Sequence, residues 1–440
     1  MIEKPPKWEE LLSGELIRKV HDSKETQEIL SKAQKEYVYW DKFKYYLFPK
    51  NVTPKEAWAF LKISRSSNEK TPIKSITGST FTYNLPKSLY QKLNFIDTHG
   101  AGLLKSFKDR PSSTQTVKYI ISSLAEEAIA SSQIEGANTT HKVAKEMILS
   151  QRKPRNRSEQ MIVNNYLAMQ RVSEWKDMDL TEQMLLDLQK TITDQTIDEP
   201  TSVGRFRNDE DQIVVSDPIT GEIAHIPFKR EKMLSELKRL IDYANKPEDD
   251  DDFTHPVVKA TILHFWFAYL HPFVDGNGRS SRALFYWYLL KNNYWLIEYI
   301  SVSRTIKQSR KAYDNAFLYS ENDDNDLTYF LLYNAEIFKK SILQFLEYFA
   351  EKMKEVDESK KTTSLLGIFN SRQVMLLKYF LSHIDEYTDV ITHQNKHGIS
   401  RPSAYNDLSF LVGKGYLAKT RKGKRLVYMP NATKIKEIFN

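Results

Sequence analysis

Apolar residues run almost all round residues 256–270, where Val257, Val258, Ile262, Leu263, Phe265, Trp266, Phe267 and Leu270 leave no broad polar face. That pattern predicts a helix buried on all sides, and Pro256 suits its first turn. Residues 282–291, rich in Leu, Phe, Tyr and Trp, predict a second buried helix. A third run, Thr116 to Glu135, spaces Val117, Ile120, Ile121, Leu124 and Ala128 as on one helix face, with Gly136 as its stop. Upstream, Thr53-Pro54-Lys55-Glu56 reads as a capping box with proline at the first helical position, opening a helix through Trp58, Phe60 and Leu61. The first hundred residues read as polar-aromatic and mostly helical. Two β-prone runs flank Asp217 to Gly221 and predict a hairpin over residues 213–228.

Toward the C-terminus, the charged and polar residues 355–363 read as a linker. Helices are expected at 371–382, 390–397 and 400–413, followed by strand-like residues 419–428 with a turn at Arg421-Lys422-Gly423-Lys424. No internal repeat is visible. The pattern is mostly α, in three regions: a helical region over 1–109, a core over 110–350 and a small domain over 364–440.

Between the two buried helices lies His271-Pro272-Phe273-Val274-Asp275-Gly276-Asn277-Gly278-Arg279-Ser280-Ser281-Arg282. Glycines at 276 and 278 let backbone N–H groups approach a ligand and take positive φ. The loop delivers those amides at a helix N-terminus, where anions are stabilised. Arg279 and Arg282 are one turn apart and able to face one anion, and guanidinium forks bind phosphate oxygens two at a time. Asp275 offers the hard oxygen that Mg²⁺ on substrate phosphates requires. His271, at the end of a buried helix, can stay neutral and accept a proton. Together these residues suit the handling of a nucleotide phosphate chain.

The segment resembles the signature of Fic domains, His-x-Phe-x-(Asp/Glu)-Gly-Asn-Gly-Arg-x-x-Arg, with no position missing. The resemblance implies a Fic-type helical core with a β-hairpin flap and transfer of AMP from ATP to a hydroxyl side chain of a target protein. It implies His271 as base, Asp275 holding Mg²⁺, Gly276, Asn277 and Gly278 as the α-phosphate anion hole, and Arg279 and Arg282 on the β- and γ-phosphates. Ser280 and Ser281 fall inside the same nucleotide-binding segment, and Tyr313, in Arg310-Lys311-Ala312-Tyr313-Asp314, is similar in position to the helix lining the adenine pocket. The end of the third periodic run, Ser131-Ser132-Gln133-Ile134-Glu135-Gly136, is similar to the Fic inhibitory motif (Ser/Thr)-x-x-x-Glu-(Gly/Asn). It implies a brake in which Ser131 and Glu135 share a helix face and Glu135 takes the Arg282 guanidinium that the γ-phosphate needs. Gly204-Arg205-Phe206-Arg207 and residues 213–228 resemble the element preceding the flap and the flap itself, whose edge would register an extended target segment by backbone pairing.

Three helices followed by a basic hairpin resemble a winged helix-turn-helix. Ser400, Arg401, Ser403 and Tyr405 would open its recognition helix, and Lys419, Arg421, Lys422, Lys424 and Arg425 its wing, so DNA is a partner expected through residues 400–425. Protein docking by the same module stays open, as does a homodimer.

The composition, 40 % hydrophobic and 28 % charged over 440 residues, fits a soluble globular protein with a full-sized core. No apolar run is long enough to cross a bilayer, so no membrane partner is expected. The N-terminus reads as no signal peptide. The absence of cysteine excludes disulfides, thiolate metal sites and cysteine nucleophiles. A cytoplasmic location is the default expectation. The acidic runs 248–252 and 321–326 lack the spacing of a calcium loop. Two other functions stay open: a DNA-binding regulator whose nucleotide pocket is a sensor, and a hydrolase that removes AMP.

Overall fold

The computed structural model describes all residues except 1, 67–68, 102–112, 217–220, 248–252, 367, 424 and 440, and, for side chains, also 113–120, 352–366 and 439. The tip of the expected flap hairpin, the acidic run 248–252 and Lys424 of the expected wing therefore lie outside the described residues. Helices dominate, and the β structure among the described residues is three antiparallel hairpins. These pair Glu69–Lys74 with Thr80–Tyr83, Val215–Ser216 with Ile223–His225, and Leu417–Lys422 with Arg425–Pro430. Among the described residues no helix is long and apolar enough to cross a membrane. The chain forms two compact units, each assembled from separated segments.

The first unit comprises Met1–Gly102, Leu167–Ile297 and Val302–Lys340. At its centre are the two buried helices, Pro256–Leu270 and Asn277–Lys291, packed against each other and joined by the short turn that carries the signature. Helix Glu182–Thr193 packs on the second and helix Arg230–Asn245 on the first. The hairpin of residues 69–83 had no counterpart in the sequence reading, because its alternation is short and Pro72 interrupts it. It braces the helix before the signature: Phe81 meets Phe265 and Tyr269 at 5.2 and 5.3 Å between ring centroids, and the Ile76 amide donates to the Tyr269 hydroxyl at 3.1 Å.

N-terminal helices form a separate cluster around Trp40, Phe43 and Trp58. The Thr53–Glu56 capping box forms as expected at the start of helix Pro54–Arg65. Arg65 ends that helix fully buried and donates to the Val38 carbonyl and the Tyr329 hydroxyl, with its guanidinium 4.0 Å from the Tyr37 ring centroid.

The second unit comprises Leu103–Tyr166, Glu298–Ser301 and Ser341–Asn440. Helices Ser113–Ile134 and His141–Leu149 enclose a small core of Ala125, Ile129, Ala144, Met147, Ile148 and Ile162. The first of them ends as the sequence indicates: Gly136 has φ +95°, its amide donates to Gln133, and the Ala137 amide reaches back to Ser132. That crossed pair of bonds is the Schellman stop, and it needs the left-handed residue glycine supplies.

In the tail, helices Ser371–Ser382, Val390–His397 and Arg401–Gly413 and the last hairpin surround Phe369, Leu377, Phe380, Leu408, Leu411, Leu417 and Tyr428, with a closing helix Ala432–Phe439. Asp407, buried among them, binds Arg372 at 2.7 Å, Asn370 at 2.7 Å and His393 at 3.2 Å. Against burial, which alone would raise it, these donors hold the Asp407 carboxyl far below the ordinary range. Residues 355–363, read as a linker, instead belong to helix Thr328–Leu366. They contain neither proline nor glycine, so nothing in them breaks a helix.

Candidate functional site

His271 terminates the helix Pro256–Leu270 in a left-handed conformation, φ +49° and ψ +57°, which a residue with a β-carbon rarely takes. Such strain persists only where the surroundings enforce it. The imidazole Nδ1 lies 3.2 Å from the Ala268 carbonyl. A carbonyl can only accept, so Nδ1 carries the hydrogen and Nε2 is the basic nitrogen.

The enforcement comes from Arg207, only 4 % exposed. Its Nε donates to the His271 carbonyl at 2.7 Å, its Nη2 to the Phe228 carbonyl at 2.5 Å, and its own amide to the Pro272 carbonyl at 2.9 Å. Beside it, Phe206 stacks on Phe273 at 5.4 Å, and Phe273 is fully buried. Within the turn, Asn277 Oδ1 accepts from the Phe273 amide at 2.9 Å while its Nδ2 donates to the Phe273 carbonyl at 2.8 Å. One amide side chain thus fixes both backbone groups of Phe273. Asn277, expected in the anion hole, braces the turn in the structure.

Gly276 sits at φ +92° as the N-cap of helix Asn277–Lys291, and a β-carbon there would lie 3.2 Å from Ile192 Cγ2 and 3.3 Å from Thr193 Cγ2. The φ favours glycine, and a β-carbon would fit only if Ile192 and Thr193 gave by a few tenths of an ångström. Having no side chain, it also leaves the first-turn amides of the helix to be satisfied from outside, as an anion does.

Asp275 and Arg279 are engaged with each other. Arg279 Nη2 is 3.1 Å from both carboxylate oxygens, Nη1 donates to the Ile192 carbonyl at 3.0 Å, and the side chain is 1 % exposed. Asp275 Oδ1 also accepts from the Gly276 amide at 2.6 Å. The expectation that both arginines face one anion meets an Arg279 that is packed inside and turned to Asp275. Ser280 and Ser281 are fully buried, and Ser281 Oγ donates to the Gly278 carbonyl at 2.9 Å. Their side chains pack in the helix.

Arg282 is also buried, and its charge reaches His264 on the neighbouring helix. Burial, with Arg282 second, pushes the His264 imidazole down to about 3, so it is neutral in the folded protein. His264 Nε2 is 2.9 Å from the Tyr313 hydroxyl. Tyr313, expected at an adenine pocket, is 5 % exposed and surrounded by His264, Phe317, Phe330 and Tyr333.

Two short strands, Val215–Ser216 and Ile223–His225, form the expected hairpin. His225 fastens it: Nε2 lies 2.8 Å from the Tyr269 carbonyl and Nδ1 lies 3.0 Å from a Glu321 carboxylate oxygen. Val214, Ile223 and Ile226 stay exposed on it. Arg207 and His225 lie in the segments that resemble the flap and the element before it, and nothing in the motif assigns them these tasks. Their signal was an arginine next to an aromatic that pairs with the signature's own Phe273, and a histidine at the end of a β-run.

Ser131 and Glu135 belong to the second unit. Ser131 is buried in the last turn of helix Ser113–Ile134, and Glu135 is exposed just beyond its end, immediately before Gly136. That helix is tied within its unit by Ser301 Oγ donating to Glu127 at 2.9 Å and Ser123 Oγ to the Tyr299 carbonyl at 2.6 Å.

Among the described residues no three carboxylate or imidazole groups gather as a self-sufficient metal site. Mg²⁺ needs no such cage when it arrives on phosphates, because one carboxylate with substrate oxygens and water completes its octahedron. Asp275, with its side chain 40 % exposed beside the helix N-terminus, fits that mode.

Residues 179–289 match the Fic/DOC family, so the chain carries a Fic/DOC domain. It is similar to a protein adenylyltransferase Fic of Nematostella vectensis, 33 % identical over 85 residues, which are 19 % of this chain and 17 % of the relative. The protein adenylyltransferase Fic of Drosophila melanogaster is 29 % identical over 117 residues, 27 % of this chain and 21 % of the relative. The matched segments thus span about a fifth of the relatives' length. Among solved structures, a Fic family protein from Desulfovibrio desulfuricans G20 aligns with a TM-score of 0.48 at 17 % identity, over 79 % of this chain and 97 % of that one.

Proposed function

We propose that the protein is an adenylyltransferase that moves AMP from ATP to a hydroxyl side chain of a target protein. The observation that carries this reading is the turn 271–279: a histidine fixed with Nε2 as its basic nitrogen stands at one end and an uncapped helix N-terminus at the other, held by Arg207 and Asn277. The match of residues 179–289 to the Fic/DOC family supports it.

In this reading His271 Nε2 takes the proton of the target hydroxyl as its oxygen attacks the α-phosphorus. The bond between the α-phosphorus and the bridging oxygen breaks, and pyrophosphate leaves. The amides of Asn277, Gly278 and Arg279 receive the charge that develops on the α-phosphate oxygens. Asp275 is the residue to hold Mg²⁺, which supplies charge neutralisation on the leaving pyrophosphate when bound. Arg282 serves the terminal phosphates. Arg279 acts chiefly by orienting Asp275. The hairpin of residues 213–228, with exposed Val214, Ile223 and Ile226, presents the target segment.

Ser131 and Glu135 are assigned as the brake, supported by the motif and by the Schellman stop that leaves Glu135 exposed at the helix end. Glu135→Gly should raise label transfer. Incubation with α-labelled ATP tests the reading: wild type labels protein weakly, Glu135→Gly strongly, and the double variant Glu135→Gly/His271→Ala not at all. Equal labelling by the double variant removes His271 from the chemistry.

A DNA-binding role for the tail is a second reading, favoured by where the charge lies. Residues 369–440 hold twelve Lys and Arg against five Asp and Glu, a surplus of seven that equals the net +7 of the whole chain, since the other residues hold 52 of each. Such segregation is the electrostatic footprint of a polyanion partner.

A further inference from the structure

We propose that duplex DNA on the tail competes with Glu146 for Arg425, so that occupancy of the tail is felt by the helix pair that carries Ser131 and Glu135. The proposal rests on the DNA reading of the tail and makes that reading regulatory.

The DNA-facing surface is composed of helix Arg401–Gly413 and the hairpin that follows. Arg401, Tyr405, Lys419, Arg421 and Lys422 are exposed, and among the described residues none of these cations is paired with a carboxylate. The Lys419 ammonium lies 5.9 Å from the Tyr405 ring, so the first turns of the helix and the hairpin share one face. Ser400 caps the helix by accepting from the Ser403 amide. An exposed helix start flanked by a basic hairpin suits the wide major groove of B-form DNA, whereas the major groove of A-form RNA is too narrow to admit it. Of the acidic side chains of the tail, Asp407 is engaged with Arg372 at 2.7 Å and Glu386 with Lys142 at 2.6 Å.

Arg425 differs from its neighbours. It is 3.3 Å from Asp389 and 4.0 Å from Glu146, which lies on helix His141–Leu149. Glu146 also accepts from the Tyr387 hydroxyl at 3.0 Å, and Lys422 sits 4.3 Å from the Tyr387 ring. The same helix is bound to the tail through Lys142–Glu386 and through Asn395, which donates to the Leu149 carbonyl. It packs in turn on helix Ser113–Ile134 through Ala125, Ile129, Ala144, Met147 and Ile148. A phosphate that draws Arg425 toward DNA therefore loosens the contact at Glu146. By linkage, removing the Glu146 charge must favour DNA to the same extent.

The test is fluorescence anisotropy with the full chain and a labelled duplex at low and moderate salt, joined to amide hydrogen exchange. Glu146→Gln keeps the acceptor for Tyr387 and should tighten duplex binding about two- to fivefold, the range expected for an exposed ion pair. In an Arg425→Gln background the same change should have no effect. Duplex should speed exchange of amides 141–149 in wild type. If wild type binds duplex and Glu146→Gln binds no more tightly, the competition is overturned while the DNA reading stands. If neither binds at low salt, both fall.

Discussion

The Arg207 guanidinium donates to the backbone carbonyl of His271 at 2.7 Å, so the left-handed turn at that histidine is gripped by a residue 64 positions earlier in the chain. The grip explains how a strained backbone is held at the residue assigned as base, and it is the interaction most open to attack by substitution. Arg207→Lys keeps the charge but cannot reach the His271 and Phe228 carbonyls together. We expect a loss of about 2–3 kcal/mol in unfolding free energy, from carbonyls left without donors. Label transfer should fall further than stability explains. Urea unfolding and labelling of the same variant check both, and wild-type labelling by Arg207→Lys would show that the grip is dispensable.

Gly276→Ala places a methyl group 3.2 Å from Ile192 Cγ2 on a backbone with φ +92°. The strain should cost about 1–3 kcal/mol. Because the residue opens the helix whose amides are assigned to phosphate, nucleotide affinity measured by calorimetry should weaken with it. Unchanged affinity would detach the helix N-terminus from binding.

His264 provides a pH signature. Its folded value, down to about 3, is far below that of the unfolded chain, near 6.5, so the unfolded state binds the extra proton between them. The stabilisation it gives is complete above about pH 6.5 and is lost as pH falls toward 3, at up to about 1.4 kcal/mol per pH unit. His264→Gln retains a partner for Tyr313 and does not titrate. Its unfolding free energy should therefore fall less than that of wild type between pH 7 and pH 5 in urea melts, and equal falls would contradict the assignment.

Asp407 ties three elements of the tail. Asp407→Asn weakens the bonds to Arg372 and His393 and should cost about 2–3 kcal/mol, less than a fully buried pair because the Arg372 side chain is 34 % exposed. The loss should appear as faster hydrogen exchange in residues 371–413, with the helices 256–291 unaffected. A uniform change across the chain would mean that the tail does not respond as its own cooperative unit.

Much of this was legible in the residues. The buried helices, the capping box at Thr53, the glycine stop at 136 and the three tail helices each follow from local periodicity and capping chemistry, which act over one or two turns. The hairpin of residues 69–83 was not legible, since Pro72 breaks an already short alternation and the pairing is stabilised by Phe265 and Tyr269, far away in sequence. The signature leads to the expectation of a phosphate site. It could not reveal that Arg279 turns inward to Asp275, or that Arg207 and Asn277 hold the turn, because those facts depend on which backbone carbonyls come within reach after folding. Residues 355–363 misled because charge alone does not distinguish a linker from a charged helix.

The most direct measurement gives the Glu135→Gly protein ATP labelled in turn at the α- and the γ-phosphate and follows the label on protein. Adenylylation with His271 as base predicts that only the α label is transferred, and that adding His271→Ala to a protein that still unfolds cooperatively abolishes it. Transfer of the γ label, or α labelling that survives loss of the imidazole, would contradict the account.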